Sequence, residues 1–238
     1  MDLSIIIPAF EESLKIENDI ILADRFIEEN NLKGEIIVVD DGSRDDTFDA
    51  AMNSRGKLKS NLIVLKNGKN LGKGGAVKRG ILSSKGDLVL YQDAGATVPM
   101  HNALAGMELI TKGRSDMAIG SRKLPDSKIL KKQEPDRALI SKIFKFLMKI
   151  FFRELSVFTD TQCGYKIYNG KIAREIYSEL ETSGFIFEIE ILLRALRKNY
   201  RVVEFPVEWS CDRDSRITLL KSPWKVISEL NLIRKMNL

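Results

Sequence analysis

Residues 3–12 read Leu3-Ser4-Ile5-Ile6-Ile7-Pro8-Ala9-Phe10-Glu11-Glu12, a β-branched run that meets a proline and then two acids. The same grammar recurs. Glu35-Ile36-Ile37-Val38-Val39 ends at Asp40-Asp41-Gly42-Ser43, and Asp87-Leu88-Val89-Leu90-Tyr91 ends at Gln92-Asp93-Ala94-Gly95. Asn61-Leu62-Ile63-Val64-Leu65 and the shorter Met117-Ala118-Ile119-Gly120 complete the series. Runs apolar at nearly every position predict strands buried on both faces, as in a parallel sheet. Amphipathic stretches between them predict helices over 12–29, 45–54, 75–84 and 100–111. Strand and helix in alternation predict βαβ units with right-handed crossovers and a ligand site at the carboxyl ends of the strands. The expected fold is α/β, a mostly parallel sheet flanked by helices.

The rest of the chain is consistent with that reading. Its 238 residues suffice for one large domain with a real core. Hydrophobic residues at 44% and charged residues at 30% exclude wholesale disorder. A net charge of +5 is mild: it allows an anionic ligand or membrane surface and does not announce a nucleic-acid binder. Two cysteines, Cys163 and Cys211, are too few for a disulfide scaffold and predict reduced thiols in a cytoplasm. The first residues carry no signal-peptide pattern, and no apolar run approaches the ~18–20 residues that span a bilayer.

The second half is less regular. A polar segment over 122–136, with Pro125 and Pro135, predicts a loop. Helices are expected over 138–155, 172–180, 185–198 and 219–236, and a single strand over 201–209. No repeat or linker divides the sequence, so 1–238 reads as a single domain.

Chemistry gathers at the strand ends. Carboxylates at the open edge of a parallel sheet accept hydrogen bonds from a base or ribose, or hold a divalent metal. For Asp40-Asp41-Gly42-Ser43 the structural alternative is a turn and N-cap for the next helix. Asn70-Leu71-Gly72-Lys73-Gly74-Gly75-Ala76 opens a helix, where glycines and a lysine suit close approach to an anion. It is not a P-loop, since the glycine spacing is short and no Ser or Thr follows Lys73. A plain glycine-rich turn explains it equally well.

Taken in order, residues 5–12, 38–47, 70–80 and 95–97 resemble the family-2 glycosyltransferases of Rossmann-like GT-A fold. Gly120-Ser121-Arg122, Asp160-Thr161-Gln162-Cys163-Gly164-Tyr165-Lys166, Phe187-Glu188-Ile189-Glu190-Ile191-Leu192 and Glu204-Phe205-Pro206-Val207-Glu208-Trp209 are similar to the dolichyl-phosphate glucosyltransferase branch. The resemblance implies that Pro8, Ala9 and Glu11 hold the nucleoside, and that Asp40, beside Asp41, meets base and ribose. It implies that Lys73 and Gly74 lie beside the nucleotide. Arg122 is then expected to face the donor or acceptor phosphates, with Asp160 and Gln162 lining the acceptor side. Glu188 stands where this branch usually has Asp and keeps the carboxylate. Residues 1–121 become the nucleotide-sugar half and 122–238 the acceptor half.

One departure concerns the metal. The family motif reads Asp-Ala-Asp-Gly-Ala-Thr; aligned on Gly95-Ala96-Thr97, this chain has Gln92-Asp93-Ala94. Both usual acidic positions are neutral and a single carboxylate sits between them. Either Asp93 ligates Mg²⁺ or Mn²⁺ with diphosphate and water completing the shell, or metal dependence is weakened, or the chain binds nucleotide sugar without turnover. Displacing a nucleoside diphosphate requires stabilising negative charge on the leaving phosphate, which a divalent ion, Arg122 and Lys73 are placed to supply. The expected activity is inverting transfer of a hexose, most simply glucose from a UDP-sugar, to a polyprenyl phosphate. A different sugar or a soluble acceptor is the alternative.

A lipid acceptor raises the question of a membrane. Lys142, Lys145, Lys149 and Arg153 fall on one helical stripe with Phe, Leu and Ile on the other faces. That pattern reads as an interfacial helix or as a buried helix with a solvated edge. The segment 219–236 has similar character. The expectation is peripheral attachment at the cytoplasmic face. His101 and the two cysteines read as structural.

Overall fold

The computed structural model describes residues 1–131, 151–211 and 223–236. Its strands are β1 (Leu3–Ala9), β2 (Gly34–Asp40), β3 (Asn61–Lys66), β4 (Leu88–Gln92), β5 (Met117–Ser121), β6 (Lys128–Lys131), β7 (Tyr165–Asn169), β8 (Val202–Pro206) and β9 (Glu208–Ser210). The α-helices are α1 (Ile16–Glu29), α2 (Thr47–Asn53), α3 (Lys73–Ser83), α4 (Ala103–Thr111), α5 (Gly170–Ser178), α6 (Phe187–Arg197) and α7 (Pro223–Lys235). Seven strands form one sheet in the order β3-β2-β1-β4-β7-β5-β8, and β6 pairs with β9 in a second.

The apolar runs do lie between two layers. Ile6, Ile37, Val39, Val89 and Tyr91 face one core, shared with α3, α5 and α6. Ile5, Ile7, Ile36, Val38 and Leu90 face the other, closed by Ile16, Ile20, Ala23 and Ile27 of α1. Those α1 positions recur at helical spacing, so one stripe is buried.

β1, β2, β3 and β4 are mutually parallel. β7 then enters antiparallel to both β4 and β5, and β8 pairs parallel to β5. One edge of the sheet therefore collects the carboxyl ends of β1, β2, β4, β5 and β8 together with the start of β7, where Gln92 opposes Tyr165.

Several expectations need correcting. β1 does not stop at Pro8 but runs to Ala9, with Pro8 opposite Val39. Its pairing with β4 has already ended at Ile6, so the missing proline N–H breaks no ladder bond on that side. β7 falls in a block read only as a motif, and β6 in a stretch read as loop. The single strand expected over 201–209 is two, in different sheets. The helix expected over 138–155 lies largely outside the described residues; at its end, Arg153–Val157 is a 3₁₀ turn. Likewise 219–222 lies outside, and α7 begins at Pro223.

α3 sits close on the sheet because Gly80 has no side chain: a Cβ there would lie 2.4 Å from Ile6 Cγ2 and 3.2 Å from Val39 Cγ2. Gly80→Ala should cost about 1–3 kcal/mol by overpacking. Urea denaturation should give a smaller loss when the substitution is made in an Ile6→Ala background, because the clashing methyl is then gone.

Candidate active site

The strand-end edge holds three groups of polar side chains. The first lies beyond β1 and β2. Asp40 is fully buried; its Oδ1 accepts the Ser43 N–H at 3.0 Å, and its Oδ2 has no partner among the described residues. Glu11 adopts φ +54, and its N–H donates to Ser43 Oγ at 2.8 Å. Ala9 is buried and its carbonyl accepts the Asp41 N–H.

Asp41 has a different task. Its Oδ1 accepts from Asn67 Nδ2 and the Leu71 N–H, and its Oδ2 from the Gly72 N–H at 2.8 Å. Both oxygens are thus committed to the glycine loop. Of the structural alternative for 40–43, the Ser43 N–H does bond back to Asp40, but the helix cap does not come from these residues: Asp46 precedes α2 without a side-chain cap, and Asp45 Oδ1 accepts the Thr47 N–H.

The glycine loop ends in Gly72, at φ +93, where a Cβ would meet the Ser183 carbonyl at 2.4 Å. Gly74 has the same constraint against Phe187 Cβ at 2.6 Å. The N–H groups of Gly74 and Gly75 donate to the carbonyls of Gly184 and Ser183. These glycines let α3 abut the 182–187 segment, and the N–H groups that were candidates for an anion are already bonded. The Lys73 side chain reaches across to Asp93 and Glu188.

Its ammonium anchors the second group. Lys73 Nζ lies 2.9 Å from Asp93 Oδ1, 3.1 Å from Oδ2 and 3.7 Å from Glu188 Oε1. Tyr91 donates its O–H to Asp93 Oδ1 at 2.6 Å and lies 3.3 Å from Glu188 Oε1. Lys166, on β7 and almost fully buried, lies 3.3 Å from the same Glu188 oxygen. Burial pulls the Lys73 ammonium down, but Asp93 and Glu188 outweigh it and hold it above the usual lysine range. Burial, reinforced by both carboxylates, pushes the Tyr91 phenol well up, so it stays a donor. Asp93 packs directly over Gly164, whose missing Cβ would fall 2.0 Å from Asp93 Oδ2.

The third group lies beyond β5. Arg122 Nε and Nη2 grip Asp160 at 2.6 and 2.8 Å, and the guanidinium stacks 5.3 Å from the Trp209 ring centroid. Burial would raise the Asp160 carboxyl; the hydrogen bonds and charge of Arg122 prevail and hold it well below the carboxylate range. Glu204 fixes the loop: it accepts from the Thr159 N–H, the Thr159 hydroxyl and the Asp160 N–H, each at 2.8 Å. Gln162 follows, with its N–H 3.4 Å from Asp160 Oδ1. Cys163 is buried, and burial pushes its thiol up to about 12, which makes it packing rather than a nucleophile.

Sequence reasoning thus named Lys73, Asp93, Glu188, Arg122, Asp160 and Asp40 and missed their supports. Tyr91 was legible as the residue two before Asp93, hence on the same strand face. Lys166 stood out as a charge between apolar neighbours. Gln92 is buried with Oε1 lacking a partner among the described residues, on the opposite side of the strand from Asp93.

A divalent metal at Asp93 meets a difficulty. Lys73 and Tyr91 already occupy that carboxylate, and Glu188 is paired with lysine. Among the described residues no three His, Cys, Asp or Glu gather as a metal cluster. These residues do not fit a resident divalent ion.

Comparison with known proteins decides the family. The model of glycosyl transferase family 2 matches residues 4–176. This chain belongs to that family. Dolichyl-phosphate beta-glucosyltransferase of Dictyostelium discoideum is 34% identical over 98% of this chain and 73% of that protein. The enzyme of the same name from Drosophila melanogaster is 32% identical over 92% of this chain and 70% of that protein. Among solved structures, glucosyl-3-phosphoglycerate synthase from Mycobacterium tuberculosis, in complex with Mn²⁺ and uridine-diphosphate-glucose, superposes with a TM-score of 0.72 at 16% identity. That match covers 98% of this chain and 78% of the other. The GT-A architecture and glycosyltransferase activity expected from the motifs hold for this family-2 chain.

One buried acid outside the expected set supports the strand-end loop. Asp19 of α1 accepts the Gly95 N–H at 2.7 Å, beside Gly95 at φ +92 and Ala96 at φ +47. Burial pushes its carboxyl from 3.8 up to about 7, although the Gly95 N–H pulls the other way. Between those values the native state keeps a proton that the unfolded chain has released, so stability falls as pH rises through the window and levels off above it. Asp19→Asn cannot ionise. Denaturation at about pH 4 and about pH 8 should therefore show the variant gaining on the parent as pH rises.

Proposed function

We propose that the chain transfers glucose from UDP-glucose to a polyprenyl phosphate of dolichyl type, with inversion at the anomeric carbon. Residues 1–121 supply the donor side and 122–238 the acceptor side. The observation that carries this reading is the near full-length similarity to proteins named dolichyl-phosphate beta-glucosyltransferase, at 34% and 32% identity. The geometry supports it at both ends. Asp40 Oδ2 is a buried acceptor lacking a described partner, which suits the imide N–H of uracil or a ribose hydroxyl. Arg122 spends two of its five N–H groups on Asp160 and stands at the same edge to meet a phosphate.

The chemistry balances without a general base. A phosphate oxygen of the acceptor, already ionised near neutral pH, forms the new bond to the anomeric carbon. The bond from that carbon to the β-phosphate breaks, and UDP leaves with the electron pair. Positioning and charge stabilisation are what the residues must provide.

A polyprenyl-phosphate acceptor requires access to a membrane surface. No helix among the described residues is long and apolar enough to cross a membrane. Attachment is peripheral in this reading, at the cytoplasmic face, through the basic-apolar segment 141–153. Residues 141–150 of that segment lie outside the described structure.

Two measurements test the assignment. Radiolabelled UDP-glucose should yield a glucosyl lipid with dolichyl phosphate in anionic vesicles, and less with neutral vesicles, the difference fading as salt rises. Label appearing only on a soluble acceptor such as 3-phosphoglycerate would redirect the acceptor assignment. By calorimetry, Asp40→Ala should weaken UDP binding about 10–100-fold, the value of a lost bond to a charged group. Undiminished affinity would remove Asp40 from the nucleotide site.

A further inference from the structure

We propose that the Lys73 ammonium is the resident cation of this site and does the work that a strand-end divalent ion does elsewhere in the fold. The inference rests on reading the edge as a sugar-nucleotide site and adds which positive charge the leaving diphosphate meets.

The carboxylates decide the matter. A divalent ion of the Mg²⁺ class takes oxygen ligands at ~2.0–2.1 Å and is usually bound through one or two carboxylates plus substrate phosphates. Here the strand end contributes one carboxylate, since Gln92 and Ala94 flank Asp93. Lys73 Nζ sits 2.9 and 3.1 Å from its two oxygens, and the Tyr91 O–H takes the 2.6 Å contact to Oδ1. The nearest further carboxylate, Glu188, is 3.7 Å from the same ammonium and 3.3 Å from Lys166. An ion at Asp93 would have to evict Lys73 and then remain beside two ammonium groups.

The lysine is held in place from several sides. It is the first residue of α3, set by Gly72 at φ +93. Its ammonium lies 5.6 and 6.0 Å from the ring centroids of Tyr91 and Phe187. Gly164 leaves the space that lets Asp93 approach it. The position is a cation site built from two carboxylates and two aromatic faces, with a lysine already in it. When the glycosyl bond breaks, charge develops on the β-phosphate oxygens, and an ammonium at this edge stabilises it without a metal.

Electron paramagnetic resonance of Mn²⁺, calorimetry with UDP, and transfer assays test this together. For the parent protein we expect no bound Mn²⁺ signal with or without UDP, the same UDP affinity with Mn²⁺ or with EDTA, and transfer that survives EDTA. Lys73→Ala should lose about 10²–10³-fold in turnover, the value of a removed charge-stabilising group. The same variant should acquire an Mn²⁺ signal, because Asp93 and Glu188 are then unpaired by that ammonium. The acquired signal is a readout that a merely destabilised variant would not give. Bound Mn²⁺ in the parent, UDP affinity raised by Mn²⁺, or transfer lost with EDTA and restored by Mn²⁺ overturns the proposal. If Lys73→Ala does not fold, the three parent measurements decide alone. Absence of transfer from any UDP-sugar would instead count against the proposed function, while Mn²⁺ binding by the parent still reports on Lys73.

Discussion

Glu188 is buried at the heart of the edge, and an isolated carboxylate there would be prohibitively costly. It persists because charges alternate around it: Lys166 on one side, Lys73 on the other, and Asp93 beyond Lys73. Tyr91 touches both carboxylates with one hydroxyl. Each member comes from a different element: β4, its following loop, α3, β7 and α6. The chain of charges therefore ties five segments to one another, and removing a single member takes a charge partner or a hydrogen bond from a buried neighbour.

The flanking groups extend the same logic outward. Glu204 of β8 positions the Thr159–Asp160 backbone, Asp160 grips Arg122, and Trp209 supplies a flat face beneath the guanidinium. On the other side, Asp41 ties the glycine loop to the end of β2, and Glu190 accepts from the Thr182 and Glu181 N–H groups while pairing with Arg194. Glu190 thereby sets the segment against which Gly72 and Gly74 close. The acids of this edge divide into those that hold loops, Asp19, Asp41, Glu190 and Glu204, and those that face the site.

Sequence alone separated these two classes poorly, for a physical reason. A buried carboxylate that accepts backbone N–H groups and one that waits for a ligand carry the same residue letter at the same strand end. Asp40 and Asp41 are adjacent and differ only in which face they take. The parallel half of the sheet was legible because strands covered on both sides must be apolar throughout. β7 was not, since a buried lysine broke its pattern and was compensated by a glutamate far along the chain. The glycines were recognised as unusual, but the sequence could not say that they pack against backbone instead of phosphate. The ordered motifs named residues that the fold gathers at one sheet edge, where single-residue chemistry was ambiguous.

The antiparallel insertion of β7 has a consequence for biosynthesis. β4 and β5 are made early, yet their facing edges cannot be joined until residues 165–169 have been synthesised and slotted between them. At the usual ~5–20 residues per second of synthesis, the ribosome-bound chain carries two open strand edges for a time on the order of seconds. The first four strands can zip in parallel during that interval, but the charge chain through Lys166 and Glu188 closes only afterwards. Nascent molecules of this enzyme therefore pass through a stage in which half a sheet can form while its inner edges stay open, the stage at which holdase chaperones have an edge to protect.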